Sequence, residues 1–204
     1  LVSYWPLDET TGETATDVIS GNDATWRNPG QNLTWIAGRS GGAAKLVDAG
    51  GAAAQNYFEI VIPELIGVNA ISISAWIDPE PQTSSGVNGI LKSRNFNGGN
   101  ASWGIDMELD HLDARVNNAA VDSPAGSVSP TAGWIHVAMV WDGINGTNTQ
   151  YINGVQTNGE GGVLMGELTD TSGPWFIGYD DCCGGGRDFS GLIDDVAMWD
   201  APLS

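Results

Sequence analysis

Apolar and polar residues alternate along most of this chain, in short runs broken by glycine, asparagine and aspartate. The alternation is cleanest over Ala70–Ile77, where Ile71, Ile73, Ala75 and Ile77 fall on one face and Ser72, Ser74 and Trp76 on the other. A period of two is the signature of a half-buried strand. The same pattern predicts strands at Val2–Leu7, Asp23–Asn28, Trp35–Gly38, Ala43–Val47 and Tyr57–Ile62. Further strands are predicted at Gly89–Ser93, Trp103–Leu109, Leu112–Val116, Trp134–Trp141, Thr149–Ile152 and Trp175–Gly178. Pro63–Val68 reads as a helical turn, the only hint of helix. Asn153-Gly154 signals a two-residue hairpin of type I′. About a dozen short strands with glycine turns predict an all-β, two-sheet antiparallel sandwich. With no repeat or linker in view, 1–204 reads as a single domain.

The last run, Gly191-Leu192-Ile193-Asp194-Asp195-Val196-Ala197-Met198-Trp199-Asp200, sets two carboxylates among strand formers. Simple alternation puts Ile193, Asp195 and Ala197 on one face and Leu192, Asp194, Val196 and Met198 on the other. One aspartate must then share a face with apolar neighbours, where a carboxylate needs a partner, and a cation is the usual one. A solvated edge strand is the alternative.

Composition narrows the classes. Lys+Arg 7 against Asp+Glu 25 leaves a net charge of −18 over 204 residues, which argues against nucleic acid or an anionic membrane as partner. No apolar run reaches the length of a membrane span. The chain starts at Leu1 with no basic-then-apolar leader, and is expected to be a mature form or an excised domain.

Several short segments carry a resemblance. They are Tyr4-Trp5-Pro6-Leu7-Asp8-Glu9, Asp17 with Gly21-Asn22, Ile71-Ser72-Ile73-Ser74-Ala75-Trp76-Ile77 and Trp134-Ile135-His136-Val137-Ala138. Tyr151-Ile152-Asn153-Gly154, Ile177-Gly178 and Phe189-Ser190-Gly191-Leu192-Ile193-Asp194-Asp195-Val196 follow in order. Together they resemble a laminin-G-like (LamG) domain of the concanavalin A-like lectin/glucanase superfamily. The resemblance implies a jelly roll, secretion or display at the cell surface, often calcium, and often sugar or protein binding. It names no single ligand, because one fold hosts many functions.

Calcium takes six to eight hard oxygens. Asp17, Asn22, the carbonyls of the Ser20-Gly21 turn and an aspartate of the last strand are the candidate ligands. By similarity to related jelly rolls Asp194 is preferred to Asp195. A capped loop without an ion is the alternative. Zinc fits poorly, since the two histidines are far apart in sequence and the cysteines are adjacent.

Nine tryptophans invite a sugar reading, but most are better spent in a core. Trp5, Trp76, Trp134 and Trp103 are expected inside, the last alternating with Ile105, Met107 and Leu109. Trp26 and Trp35 flank loops and are the expected exposed rings. Across from Trp103, the residues Asp106, Glu108, Asp113, Arg115 and Asn117 form a polar stripe, suited to hydroxyls or simply to water. Glu108-Leu109-Asp110-His111-Leu112-Asp113 resembles the Glu-x-Asp-x-x-Glu strand of laminarinase-type hydrolases. Its last position is Asp, and Asp110-His111 reads as a hairpin turn, so no catalysis is expected.

Within 179–187, Tyr179, Asp180, Asp181 and Arg187 offer a ring, acceptors and a forked donor to a hydroxyl-rich ligand; a solvated loop is the alternative. Cys182-Cys183 permits a strained vicinal disulfide, free thiols or an intermolecular bridge. Asn32, Asn100 and Asn145 begin glycosylation sequons. The expected function is that of a secreted, calcium-stabilised, non-catalytic binding domain for a glycan. A structural or adhesive subunit, packing against copies of itself or another extracellular protein, is the alternative, and a glycoside hydrolase is a lesser one.

Overall fold

A computed structural model describes residues 1–30, 33–48, 56–81, 86–95, 101–116, 119–130, 133–157, 166–168, 173–182 and 187–204. Two antiparallel sheets face each other. Sheet A runs β14 (Val155–Gln156), β13 (Thr147–Ile152), β12 (Ile135–Asp142), β7 (Ala70–Pro79), β16 (Gly191–Trp199), β5 (Gly42–Leu46) and β4 (Thr34–Ala37), with β1 (Ser3–Trp5) also on β16. Sheet B runs β11 (Ala119–Asp122), β10 (His111–Val116), β9 (Ala101–Glu108), β8 (Val87–Asn95), β15 (Trp175–Ile177), β6 (Phe58–Ile60), β3 (Ala24–Trp26) and β2 (Thr14–Ala15). The predicted helical turn is a single 3-10 turn at Pro63–Leu65. This is the predicted all-β jelly-roll sandwich.

The inner faces follow the alternation. Ile71, Ile73, Ala75 and Ile77 of β7 meet Trp103, Ile105 and Met107 of β9 and Leu112, Ala114 and Val116 of β10 in one core. The hairpin at Asn153-Gly154 has φ of 51° and 75°, as a type I′ turn requires. Leu109 leaves the core pattern. It turns left-handed (φ 56°) between β9 and β10, and is 65% exposed. That turn divides the hydrolase-like segment, since Glu108 closes β9 and His111 opens β10. Strands β2, β11 and β14 are too short or too rich in alanine to show a period, and the pattern misses them.

The last strand departs from simple alternation. Its register against β7 slips between Asp194 and Ala197, and Asp195 is left-handed (φ 51°). The extra residue of this bulge shifts the phase. Ile193, Val196 and Met198 therefore all enter the core, whereas period two had split them. The bulge lies where the neighbour of β16 changes from β5, paired with Gly191–Ile193, to β1, paired with Val196–Met198.

Candidate functional site

The two aspartates of the bulge are structural anchors. Asp194 is fully buried, and its Oδ2 accepts the amides of Arg39 (2.7 Å) and Ser40 (3.0 Å) in the β4–β5 turn. Gly38 makes room for it, since a Cβ there would stand 2.5 Å from that oxygen. Burial pushes the Asp194 carboxyl up to about 6, aided by Asp195 and opposed by the two amides. Asp195 Oδ1 accepts the phenol of Tyr4.

Asp17 is buried and fully used. Its Oδ1 accepts Tyr4 N (2.9 Å) and Ile19 N (3.0 Å), and its Oδ2 accepts Ser20 N (3.3 Å) and Asn22 N (3.0 Å). Burial raises this carboxyl, but these amides and the Ser3 hydroxyl outweigh it and hold Asp17 below its ordinary pKa. Asn22 Nδ2 donates to Ser3 Oγ and Glu64 Oε2, and the Asn22 carbonyl accepts Trp5 Nε1. The expected quartet Asp17, Asn22, Asp194 and Asp195 thus does not form one ligand shell. Among the described residues no group of three acids, histidines or cysteines is poised for a metal.

The tryptophans sort differently from the expectation. Trp26 is 1% exposed, because its ring is wedged edge-on against Phe58 at 5.0 Å. Trp35 is half-buried, 5.8 Å from Phe58, with Nε1 on the Gly12 carbonyl (3.0 Å). Trp76 and Trp134 are not core residues but half-exposed. On the outer face of sheet A, Trp76, His136, Tyr151 and Trp199 line two adjoining grooves of about 380 and 310 Å3.

The outer face of sheet B brings together two of the expected sites. Asp106 of β9 and Asp113 of β10 lie opposite each other. Lys92 of β8, fully buried, pairs with Asp106. Arg115 reaches Asp113 Oδ2 through Nε and Nη2, both at 2.5 Å. Arg187 Nη1 holds Asp180 Oδ2 at 2.6 Å, and Asp180 acts electrostatically on both Asp106 and Arg115. Burial beside Asp113 drives Asp106 up, to about 6, against the pull of Lys92. Asp106 Oδ1 and Asp113 Oδ1 are buried without a hydrogen-bond partner.

The stretches 179–182 and 187–188 lie against β8, where Gly89 N donates to Arg187 O (3.3 Å). A Cβ on Gly89 would stand 2.1 Å from the Tyr179 carbonyl, so only glycine admits this approach. Tyr179 is not the free ring expected. It stacks on Tyr57 at 4.2 Å and 4°, with Phe176 edge-on to both, and is 6% exposed. Asp181 is half-buried and acts on both tyrosines. Cys182 is disulfide-bonded, while Cys183 and Gly184–Gly186 lie outside the described residues, as do Asn32, Asn100 and Asn117. Asn145 is exposed in the turn between β12 and β13. Sequence reasoning missed Lys92, Tyr57 and Phe176. The unbroken apolar run Trp175-Phe176-Ile177 was the available signal, since a strand apolar on both faces is covered on both.

Two antiparallel sheets packed face to face, with strands β16 and β7 at the centre of one and β8 and β15 at the centre of the other, are the architecture of a jelly-roll sandwich. The chain belongs to the concanavalin A-like lectin/glucanases superfamily, for the Laminin_G_3 family model matches residues 48–204. No curated protein matches the sequence. Domain 4 of AbnA, a GH43 extracellular arabinanase from Geobacillus stearothermophilus solved in complex with arabinotriose, is similar to it with a TM-score of 0.70 and 22% identity, covering 100% of this chain and 94% of that one. The binding domain of Paraclostridial Mosquitocidal Protein 1 superposes with a TM-score of 0.69 at 16% identity, over 100% of this chain and 49% of that one. Trypanosoma rangeli sialidase, in complex with a difluorinated KDN, gives 0.62 and 16%, over 100% of this chain and 31% of that one. At such identities the likeness is one of fold.

Proposed function

We propose that the protein is a non-catalytic carbohydrate-binding domain whose glycan meets the outer face of sheet B beside 179–182 and 187–188. One observation carries this reading. Asp106 and Asp113 each keep one buried oxygen unpartnered, next to two forked arginines and a tyrosine stack. Buried acceptors without donors are costly, so this face favours a ligand that brings donors to it, as a sugar does. Each arginine fork carries five N–H donors, more than the one carboxylate oxygen it holds can use. The solved complex of the similar arabinanase domain with arabinotriose supports the ligand class. Action outside the cell accords with the disulfide at Cys182. Among the described residues no helix is long and apolar enough to cross a membrane.

Binding of neutral arabino-, gluco- and galacto-oligosaccharides is measured by calorimetry on the parent and on Arg115→Lys. The variant keeps the charge beside Asp113 but loses the fork, so affinity falls about tenfold while the fold persists. Equal affinities in both proteins refute the site, and no binding to any panel member refutes the reading. A protein partner is the second reading, favoured by the open aromatic grooves of sheet A. Sedimentation of the parent against a Trp199→Ala variant tests it through self-association.

A further inference from the structure

The bulge in β16 does more than shift the phase of the last strand. Period two would send Asp195 inward with Ile193, yet Asp195 is partly exposed and stands in the lining of a cavity on the outer face of sheet A. Its left-handed backbone (φ 51°) turns it there. Bulges are a common device for re-aiming a side chain. One of its oxygens accepts the Tyr4 phenol, and among the described residues the other has no hydrogen-bond partner.

The cavity, of about 310 Å3, sets aromatic rings around a small floor. Ala197 of β16 lies opposite both Ser74 of β7 and Tyr4 of β1, which gives the floor and one wall. Trp76 stands two residues along β7 from Ser74, and Trp199 two residues along β16 from Ala197, on the other side. The two indoles thus flank the floor from positions about 13 Å apart along the strands. His136 of β12 is opposite Trp76, its ring edge-on at 5.2 Å and 64°. Burial holds the His136 imidazole below its ordinary pKa, against the pull of Asp195, so at neutral pH it adds a ring and no charge. Among the described residues no lysine or arginine lines the cavity, and Asp195 is its one charged side chain.

Four rings around one carboxylate are a lining suited to a cation. The Arg39 guanidinium already lies over Trp76, 4.8 Å from the ring centre, so this indole holds positive charge within the protein itself. A second copy of the chain would bring another charge of −18 to this face, and charge therefore favours a cationic occupant over self-association. A quaternary ammonium has no N–H to satisfy and presents methyl groups to the rings. We propose that the cavity is an aromatic cage for a small solute bearing a quaternary ammonium group, with Trp76, Trp199, His136 and Tyr4 as walls and Asp195 as counter-charge. It lies on the sheet opposite to the glycan face, and the inference does not depend on that reading.

Choline and tetramethylammonium are titrated into the whole chain by calorimetry and tryptophan fluorescence, beside ethanolamine and the uncharged tert-butyl analogue of choline. Both quaternary ions are expected to bind saturably, and the other two compounds at least about tenfold more weakly. Asp195→Asn keeps an oxygen for the Tyr4 phenol and tolerates the left-handed backbone, so it should fold as the parent does yet bind choline about tenfold more weakly. Trp199→Ala should lose affinity by a similar factor, whereas Arg115→Lys on sheet B should lose none. Absence of saturable binding by either quaternary ion overturns the proposal. Equal affinity for the uncharged analogue makes the cavity a plain apolar groove, equal affinity for ethanolamine makes it a site for N–H donors, and each overturns it. So does an Asp195→Asn variant that binds choline like the parent, or binding to phosphatidylcholine vesicles without binding to free choline. Self-association or oligosaccharide binding that depends on Trp199, with choline inert, gives this face to a protein or a sugar and overturns it as well.

Discussion

The phenol of Tyr4 donates to the carboxylate of Asp195, across a sequence separation of 191 residues. The bond joins the first strand to the last at the bulge, where Asp195 adopts a left-handed backbone. Desolvation raises the Tyr4 phenol, and the bonded Asp195 raises it further, so it stays a donor at any ordinary pH. Tyr4→Phe removes the donor and leaves the packing, and a loss of about 1 kcal/mol is expected. For a chain of this size that is a drop of about 2–4 °C in Tm by calorimetry. No change would show that the carboxylate is equally well held by water.

The Lys92–Asp106 pair is buried on both sides. Removing one member leaves an uncompensated charge, so Lys92→Met is expected to cost about 3–5 kcal/mol in denaturant unfolding. The double variant Lys92→Met/Asp106→Leu removes both charges and should recover most of that loss. If the double variant is as unstable as the single one, the network with Asp113 and Arg115 rather than the pair holds this face.

Arg187 is expected to matter for stability as well as for binding. A solvated loop would let Arg187→Ala pass without thermal effect, but here the variant removes the ion pair of a buried Asp180. A loss on the order of 2 kcal/mol follows, discounted because the guanidinium is partly exposed. An unchanged Tm would put the segment back among solvated loops.

The pH dependence of stability separates Asp194 from an ordinary aspartate. Its folded pKa, about 6, lies above that of the unfolded chain. Between roughly pH 4 and 6 the folded form therefore holds more protons, and Asp194 lowers stability as pH rises through that window. The slope is at most about 1.4 kcal/mol per pH unit. Asp194→Asn, which keeps an oxygen for the Arg39 and Ser40 amides, should flatten the curve there. Parent and variant curves that run parallel would contradict the raised pKa.

Trp26→Ala should cost about 3–5 kcal/mol, as core aromatic deletions do, whereas Trp35→Ala should cost clearly less. Equal effects in thermal unfolding would contradict their unequal burial.

Where one strand alone decides, the amino-acid pattern was enough. The inner face of β7, the type I′ hairpin at Asn153-Gly154, the 3-10 turn at Pro63 and the sandwich class follow from period two and turn chemistry. So does the hairpin that separates Glu108 from Asp113. The segments behind the LamG resemblance were legible for the same reason, since each is a local signature of strand or turn.

What lies between strands was not legible. Alternation assumes an unbroken register, and the bulge at Asp194–Asp195 breaks it, so the two faces of the last strand were assigned wrongly beyond Ile193. Flanking loops suggested that Trp26 was exposed, but only the position of Phe58 on the neighbouring β6 decided that it is not. The polar stripe and the loop 179–187 read as separate candidates. The described ends of the loop, at Tyr179 and Arg187, come to the stripe because Gly89 of β8 lets the Tyr179 backbone approach the sheet beside β9.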